Sequence, residues 1–83
     1  MRGYQVKGAA ALWPVEIGDD GARTYVRWRE DQPMPATFAI GAGGREELVE
    51  GYVRGGVFTI DRVYDRLVFR IDKLAVTARR LGS

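Results

Sequence analysis

The 83 residues contain no cysteine and no histidine, and their only serine is the terminal Ser83. Disulfides, zinc sites of the usual kind, thiol nucleophiles and histidine acid/base chemistry are excluded together. No internal serine is available as a hydrolase nucleophile either. No run of about 18 apolar residues occurs, so no segment is suited to span a bilayer as a helix. The opening Met1-Arg2-Gly3-Tyr4 is not followed by the apolar stretch of a signal peptide. The chain therefore reads as an excised domain with any targeting signal upstream, and Gly82-Ser83 has the look of an appended tail. Charge of one sign is also scarce. Thirteen basic residues face eleven acidic ones, a surplus of +2 that permits polyanion binding without calling for it.

What is present suffices for a small core. The hydrophobic fraction is 46 %, well above the range of disordered chains. The length fits one domain spanning residues 1–83. A chain of this size buries only roughly 60 to 65 % of its unfolded surface, so its stability margin is thin.

The local pattern is that of short strands. Val15 and Ile17 alternate with Glu16. After Gly18-Asp19-Asp20-Gly21, Thr24, Val26 and Trp28 alternate with Tyr25, Arg27 and Arg29. Period two on both sides of an Asp-Gly turn predicts a half-buried antiparallel hairpin. Tyr4 to Lys7 is a further strand bounded by Gly3 and Gly8, and Ala9 to Leu12 is too short to stand as a helix before Trp13-Pro14. Ala36, Phe38 and Ile40 alternate with Thr37 and Ala39 beyond the loop that holds Pro33 and Pro35. Further strands are predicted over 45–50, 52–54, 57–61, 67–72 and 74–78, with turns at Gly41 to Gly44 and at Gly55-Gly56 and a bend at Gly51. These are about seven to nine short strands with no helix, hence an all-β, small antiparallel β-sandwich or barrel.

The chemistry-bearing groups do not assemble into an active site. Asp19-Asp20-Gly21 lacks the alternating oxygens of a calcium loop and reads as a hairpin turn. Glu16, Asp61, Asp65 and Asp72 each have a plausible arginine partner nearby. Neither glycine cluster opens a helix, so neither is a phosphate cradle. No catalytic residue, metal ligand, cofactor or small-molecule substrate is expected. Tyr25, Arg27, Tyr52 and Arg54 interleave aromatic and basic groups as single-strand nucleic-acid-binding barrels do, which makes such a barrel the alternative reading. The other option is a binding module, in which an exposed edge accepts an extended peptide as an added strand. Tyr4 to Lys7 is the candidate edge.

Several stretches, in their order, resemble one family. They are Val6-Lys7-Gly8, Leu12-Trp13-Pro14-Val15, Asp19-Asp20-Gly21, Thr24 to Trp28, Pro35 to Ile40, Gly44 to Val49, Tyr52 to Gly55, Ile60 to Tyr64 and Leu67 to Ile71. Over nearly the whole chain, from about Tyr4 to Arg79, they are similar to the carboxy-terminal domain of the TrbG/CagX-type conjugal transfer protein. That family is a subunit of the outer-membrane core complex of type IV secretion systems. The resemblance implies a β-sandwich in a ring homo-oligomer of the bacterial envelope, periplasmic and outer-membrane associated, with a signal peptide upstream; the isolated domain is expected to be monomeric. It implies two partners, a small outer-membrane lipoprotein and the envelope-spanning channel subunit. Some members bridge to the lipoprotein through a cysteine near the end. This chain has none, so its contact would be non-covalent. The expected partner-binding residues are Tyr4, Gln5, Val6 and Trp13, acting by recognition and not by catalysis. The tail after Ile71 departs from the commoner ending of the family.

Overall fold

The computed structural model describes residues 1–82. They form nine strands, β1 (Tyr4–Gly8), β2 (Glu16–Asp19), β3 (Thr24–Arg27), β4 (Ala36–Ile40), β5 (Glu46–Leu48), β6 (Tyr52–Arg54), β7 (Val57–Ile60), β8 (Arg66–Ile71) and β9 (Leu74–Arg80). Two short 3-10 turns, Ala10–Leu12 and Ala42–Gly44, are the only helical pieces among these residues. The larger sheet runs β1-β9-β8-β4-β5 and the smaller β2-β3-β7-β6, with every pairing antiparallel. The expected all-β sandwich is present.

The alternation read from the sequence sets which side chains meet. Thr24, Val26 and Trp28 are buried from the smaller sheet, with Ile60 beside them. Leu67, Phe69, Val76 and Ala78 oppose them from the larger sheet. The Trp28 and Phe69 rings meet edge-on at 5.1 Å and 87°, an arrangement that favours the aromatic quadrupoles beyond simple burial. Leu12, on the first 3-10 turn, plugs one end of this layer, and its carbonyl accepts a 3.1 Å hydrogen bond from Trp28 Nε1.

Turn chemistry fixes the register. Gly55 and Gly56 take φ of 58° and 78°, so Arg54 and Val57 pair across the two-residue turn that the sequence predicts. The Asp-Gly hairpin lies slightly further on than expected. Gly18 and Asp19 belong to β2, and the connection is Asp20 to Arg23. There Asp20 Oδ1 accepts from the Ala22 and Arg23 amides, at 2.9 and 2.7 Å, and Gly21 sits at φ 90°. Bonding of the Asp20 side chain to the amides of its own turn closes the loop after Asp19, so Asp19 stays in the β2 ladder. A further turn lies at Asp72-Lys73, where Asp72 takes φ 51°. At its other end β9 runs on to Arg80, beyond the predicted end at Ala78, where it pairs with Tyr4 and Gln5 of β1 and Arg66 of β8. The strand expected over 45–50 is paired only at Glu46–Leu48, because the chain leaves the larger sheet at Val49 and crosses to the smaller one at Gly51.

Candidate partner-binding surface

Strand β1 is an edge, as its composition suggested. One side pairs with β9 in the register Tyr4↔Arg80 through Gly8↔Val76. The flanking bonds Leu81 N to Gly3 O at 3.0 Å and Ala9 N to Ala75 O at 3.1 Å fix the alternation. Odd-numbered residues spend their backbone groups on β9, so the N–H and C=O of Tyr4, Val6 and Gly8 point away from the sheet. Gly8 O is taken up by the Trp13 indole, whose Nε1 donates to it at 3.1 Å. Trp13 is 45 % exposed, so its ring is latched at the end of the free edge with much of its area in water.

The four expected contact residues thus gather at one edge in two different ways. Gln5 and Trp13 present side chains outward. Tyr4 and Val6 present backbone, because their side chains turn into the sandwich, where both pack against the core. Val6 faces Ala78 across the pair. The Tyr4 hydroxyl donates to Asp19 Oδ2 at 2.8 Å.

That contact belongs to a buried cluster that sequence reading missed. The Asp19 side chain is fully buried and pairs with Arg80, which is 21 % exposed. Arg80 Nε and Nη2 donate to Oδ2 and Oδ1 at 2.7 and 2.9 Å, and the Gly21 amide donates to Oδ1 at 2.9 Å. The Arg80 fork, reinforced by the Tyr4 hydroxyl and the Gly21 amide, outweighs burial and lowers the Asp19 carboxyl to about 2. Burial, followed by the adjacent carboxylate, pushes the Tyr4 hydroxyl up to about 12. Asp19 stands on the smaller sheet while Tyr4 and Arg80 stand on the larger, so the cluster clasps one sheet to the other. A backbone bridge beside it, Arg2 N to Asp19 O at 2.8 Å and Asp19 N to Arg2 O at 3.1 Å, closes the same side. The signal was available in the phase of the strands. Asp19 follows Ile17, and Arg80 follows Val76 and Ala78, on the inward-facing positions.

The outer face of the smaller sheet gathers Tyr25, Arg27, Tyr52 and Arg54. Tyr25 and Tyr52 flank Thr59 in register. Their polar ends are committed to carboxylates, however. Tyr25 Oη donates to Asp20 Oδ2 and Tyr52 Oη to Asp61 Oδ1, both at 2.9 Å. Arg23 pairs with Asp61 at 2.8 Å, and Arg27 pairs with Glu16. A phosphate backbone would meet the carboxylates of Glu16, Asp20 and Asp61 there, while Arg23 and Arg27 are already paired and Arg54 alone of the named cations has no ion pair among the described residues, so the arrangement is poorly suited to nucleic acid.

A largely apolar cavity of about 590 Å³ lies along β2, lined by Met1, Val15, Ile17, Tyr25, Arg27 and Val57 among others. The only carboxylate on its wall is Glu16, already bound to Arg27, so no pair of acids converges there. Among the described residues no group of three or more acidic, histidine or cysteine side chains is placed to hold a metal ion. No helix among them is long and apolar enough to cross a membrane.

The architecture defines an antiparallel two-sheet sandwich whose free backbone groups lie on edge strands. The family model of the CagX conjugal transfer protein matches residues 1–81. The chain is also 35 % identical over 63 residues to the type IV secretion system protein PtlF of Bordetella pertussis. Its homologs in Bordetella parapertussis and Bordetella bronchiseptica match equally. Each alignment covers 76 % of this chain and 23 % of the relative, so the chain corresponds to about a quarter of those proteins' length. The chain belongs to the CagX family of conjugal transfer proteins, components of type IV secretion systems. Such components are associated with the cell envelope.

Proposed function

We propose that this chain is a structural docking domain of the outer-membrane core complex of a type IV secretion or conjugation system, placed in the periplasm as the carboxy-terminal part of a longer, ring-forming subunit. It works by recognition and not by catalysis. A small outer-membrane lipoprotein adds an extended segment to β1, and the envelope-spanning channel subunit binds elsewhere on the sandwich. The observation that carries this reading is the free edge of β1. The backbone groups of Tyr4 and Val6 face outward, Gln5 lies exposed between them, and Trp13 is fixed at the end of the edge by its bond to Gly8. Strand addition of this kind takes affinity from main-chain hydrogen bonds and specificity from pockets for alternate side chains. Trp13 supplies the apolar wall.

The test is an NMR titration of the labelled chain with the amino-terminal peptide of the cognate lipoprotein. Shifts should concentrate at Tyr4, Gln5, Val6 and the Trp13 indole, and Trp13→Ala should weaken binding without lowering the melting temperature appreciably. Shifts confined to β2, β5 or β6 reject this edge.

A further inference from the structure

The proposed β1 docking site leaves open what chemistry the incoming strand carries, and the outer face of the larger sheet bears on it. In cross-strand register, Gln5, Arg79 and Arg66 form one row on that face, and Lys7, Thr77 and Val68 form the next. Arg66 and Arg79 are directly opposite one another and both exposed. Like charges so placed oppose sheet formation. Among the described residues the Arg79 guanidinium bonds only to the Gln5 carboxamide, with Nη2 donating to Oε1 at 2.9 Å. No ion pair within 4 Å involves Arg66, Arg79 or Lys7 among the described residues.

Arg23, Arg27, Arg29, Arg70 and Arg80 each hold a carboxylate, whereas Arg45, Arg54 and Arg62 lie outside the ion pairs found among the described residues. Around the end of β1 the cations without a carboxylate are gathered together. A cavity of about 340 Å³ there is lined by Arg2, Arg66, Arg79, Arg80 and Gly82, with Asp65 as its one acid. Arg80 is spent on Asp19, so the unpaired cations outnumber the acid. A local excess kept beside an unfilled sheet edge is a repulsion that a bound partner would relieve.

We infer that the strand docking on β1 is acidic on alternate residues, with carboxylates opposite Gln5 and Lys7 and an apolar residue between them opposite Val6. Cross-strand neighbours share a face. A residue added opposite Gln5 therefore extends the Gln5-Arg79-Arg66 row, and one opposite Lys7 lies beside its ammonium. The residue between them turns inward, next to Val6, which packs against the core. An acidic–apolar–acidic run thus meets a cation row with its odd positions and the sandwich interior with its even one. Arginine forks suit carboxylates by paired hydrogen bonds. This rests on the β1 docking reading and adds the charge pattern of the partner.

The experiment measures binding of the 83-residue chain to two short labelled peptides, one alternating Glu and Val and one alternating Lys and Val, at low and at high salt. The Glu peptide should bind at least about tenfold tighter than the Lys peptide at low salt, with the gap closing as salt rises. Arg79→Glu should erase or invert the preference. It also removes the repulsion from Arg66, so its melting temperature should stay at or above the parent's. Lys7→Glu is a second variant of the same sign on a different strand. Equal binding of the two peptides to β1 overturns the charge pattern and leaves the edge reading intact. Absence of binding by either peptide, with the lipoprotein peptide also silent at β1, overturns both. Vesicles of anionic phosphatidylglycerol that bind the chain and displace the Glu peptide would show the row to be a lipid-headgroup site, and also overturn the inference.

Discussion

Replacing Asp19 with asparagine keeps the shape of the buried clasp and removes its charge. The carboxylate accepts four hydrogen bonds, from Tyr4 Oη, Arg80 Nε, Arg80 Nη2 and the Gly21 amide. An amide offers one oxygen, and its NH₂ must face two of those donors, one of them from the Arg80 guanidinium. Arg80 then stays mostly buried without its bonded counter-charge, and only the more distant Asp65 carboxylate acts on it. Removing one partner of a buried pair costs about 3 to 5 kcal/mol, against a total of roughly 4 to 12 kcal/mol for a domain of this length. With a urea slope near 1 kcal/mol per molar, the unfolding midpoint followed by tryptophan fluorescence should fall by about 3 M or more. A second measurement isolates the charge. The folded carboxyl lies at about 2 against an ordinary 3.8. A lowered pKa adds stability that is complete above 3.8 and disappears as pH falls through that value toward 2. That contribution is worth roughly 2 kcal/mol. The gap between parent and Asp19→Asn should therefore narrow by about that amount from neutral pH to about pH 2. Asp20 and Asp61, also held below their usual range by hydrogen bonds, remain in both proteins and cancel in the difference. A midpoint shift under about 0.5 M, or a gap independent of pH, would refute the idea that this clasp joins the sheets.

Three further substitutions probe the core and the sheet crossing. Phe69→Ala empties the space beneath Trp28 and should cost about 3 to 5 kcal/mol; melting like the parent would contradict the packing of that ring. Gly51→Ala places a Cβ 2.6 Å from both Phe58 Cζ and Thr59 O, and because one of these is backbone the loss should reach roughly 1 to 3 kcal/mol in urea unfolding. Thr37→Val removes a buried hydroxyl that has no hydrogen-bond partner and should raise stability by about 1 kcal/mol, visible as a higher melting temperature.

Alternation and turn residues made most of the fold readable. Val26 and Trp28 fell on the inward phase, and Gly55-Gly56 marked its hairpin, because both signals are local. What escaped was set by partners distant in sequence. On β4, the bulkier set Ala36, Phe38 and Ile40 faces outward, while Thr37 and Ala39 are buried. They lie opposite Phe69 and Leu67 on β8, whose bulk leaves room only for small neighbours. Phe38 in turn is covered on the outside by Arg70, whose guanidinium carbon is 5.6 Å from the ring and which pairs with Glu46. The Asp19 clasp escaped for the same reason. Sixty-one residues separate its two charges, and an aspartate beside Asp20-Gly21 is explained well enough by a turn until Arg80 is seen beside it.

The parity of β1 links these two results. Its even residues face inward, Tyr4 into the clasp and Val6 toward the core, while their backbone groups form the free edge. A strand bound on that edge would bond the same peptide units whose side chains hold the sheets together. Docking and closure of the sandwich then stabilise one another, since a ligand that binds only the closed form adds about 2.7 kcal/mol at a hundred times its dissociation constant. Tyr4→Phe separates the contributions. It deletes the hydroxyl bonded to Asp19 and leaves the backbone edge and the whole outward row unchanged. The isolated chain should lose about 1.5 to 3 kcal/mol, the value of a hydrogen bond to a charged group. Affinity for the docked peptide, measured where the variant is still fully folded, should change little. A large loss of affinity in the folded variant would mean that the Tyr4 side chain itself meets the partner, and the division between inward and outward residues on β1 would have to be redrawn.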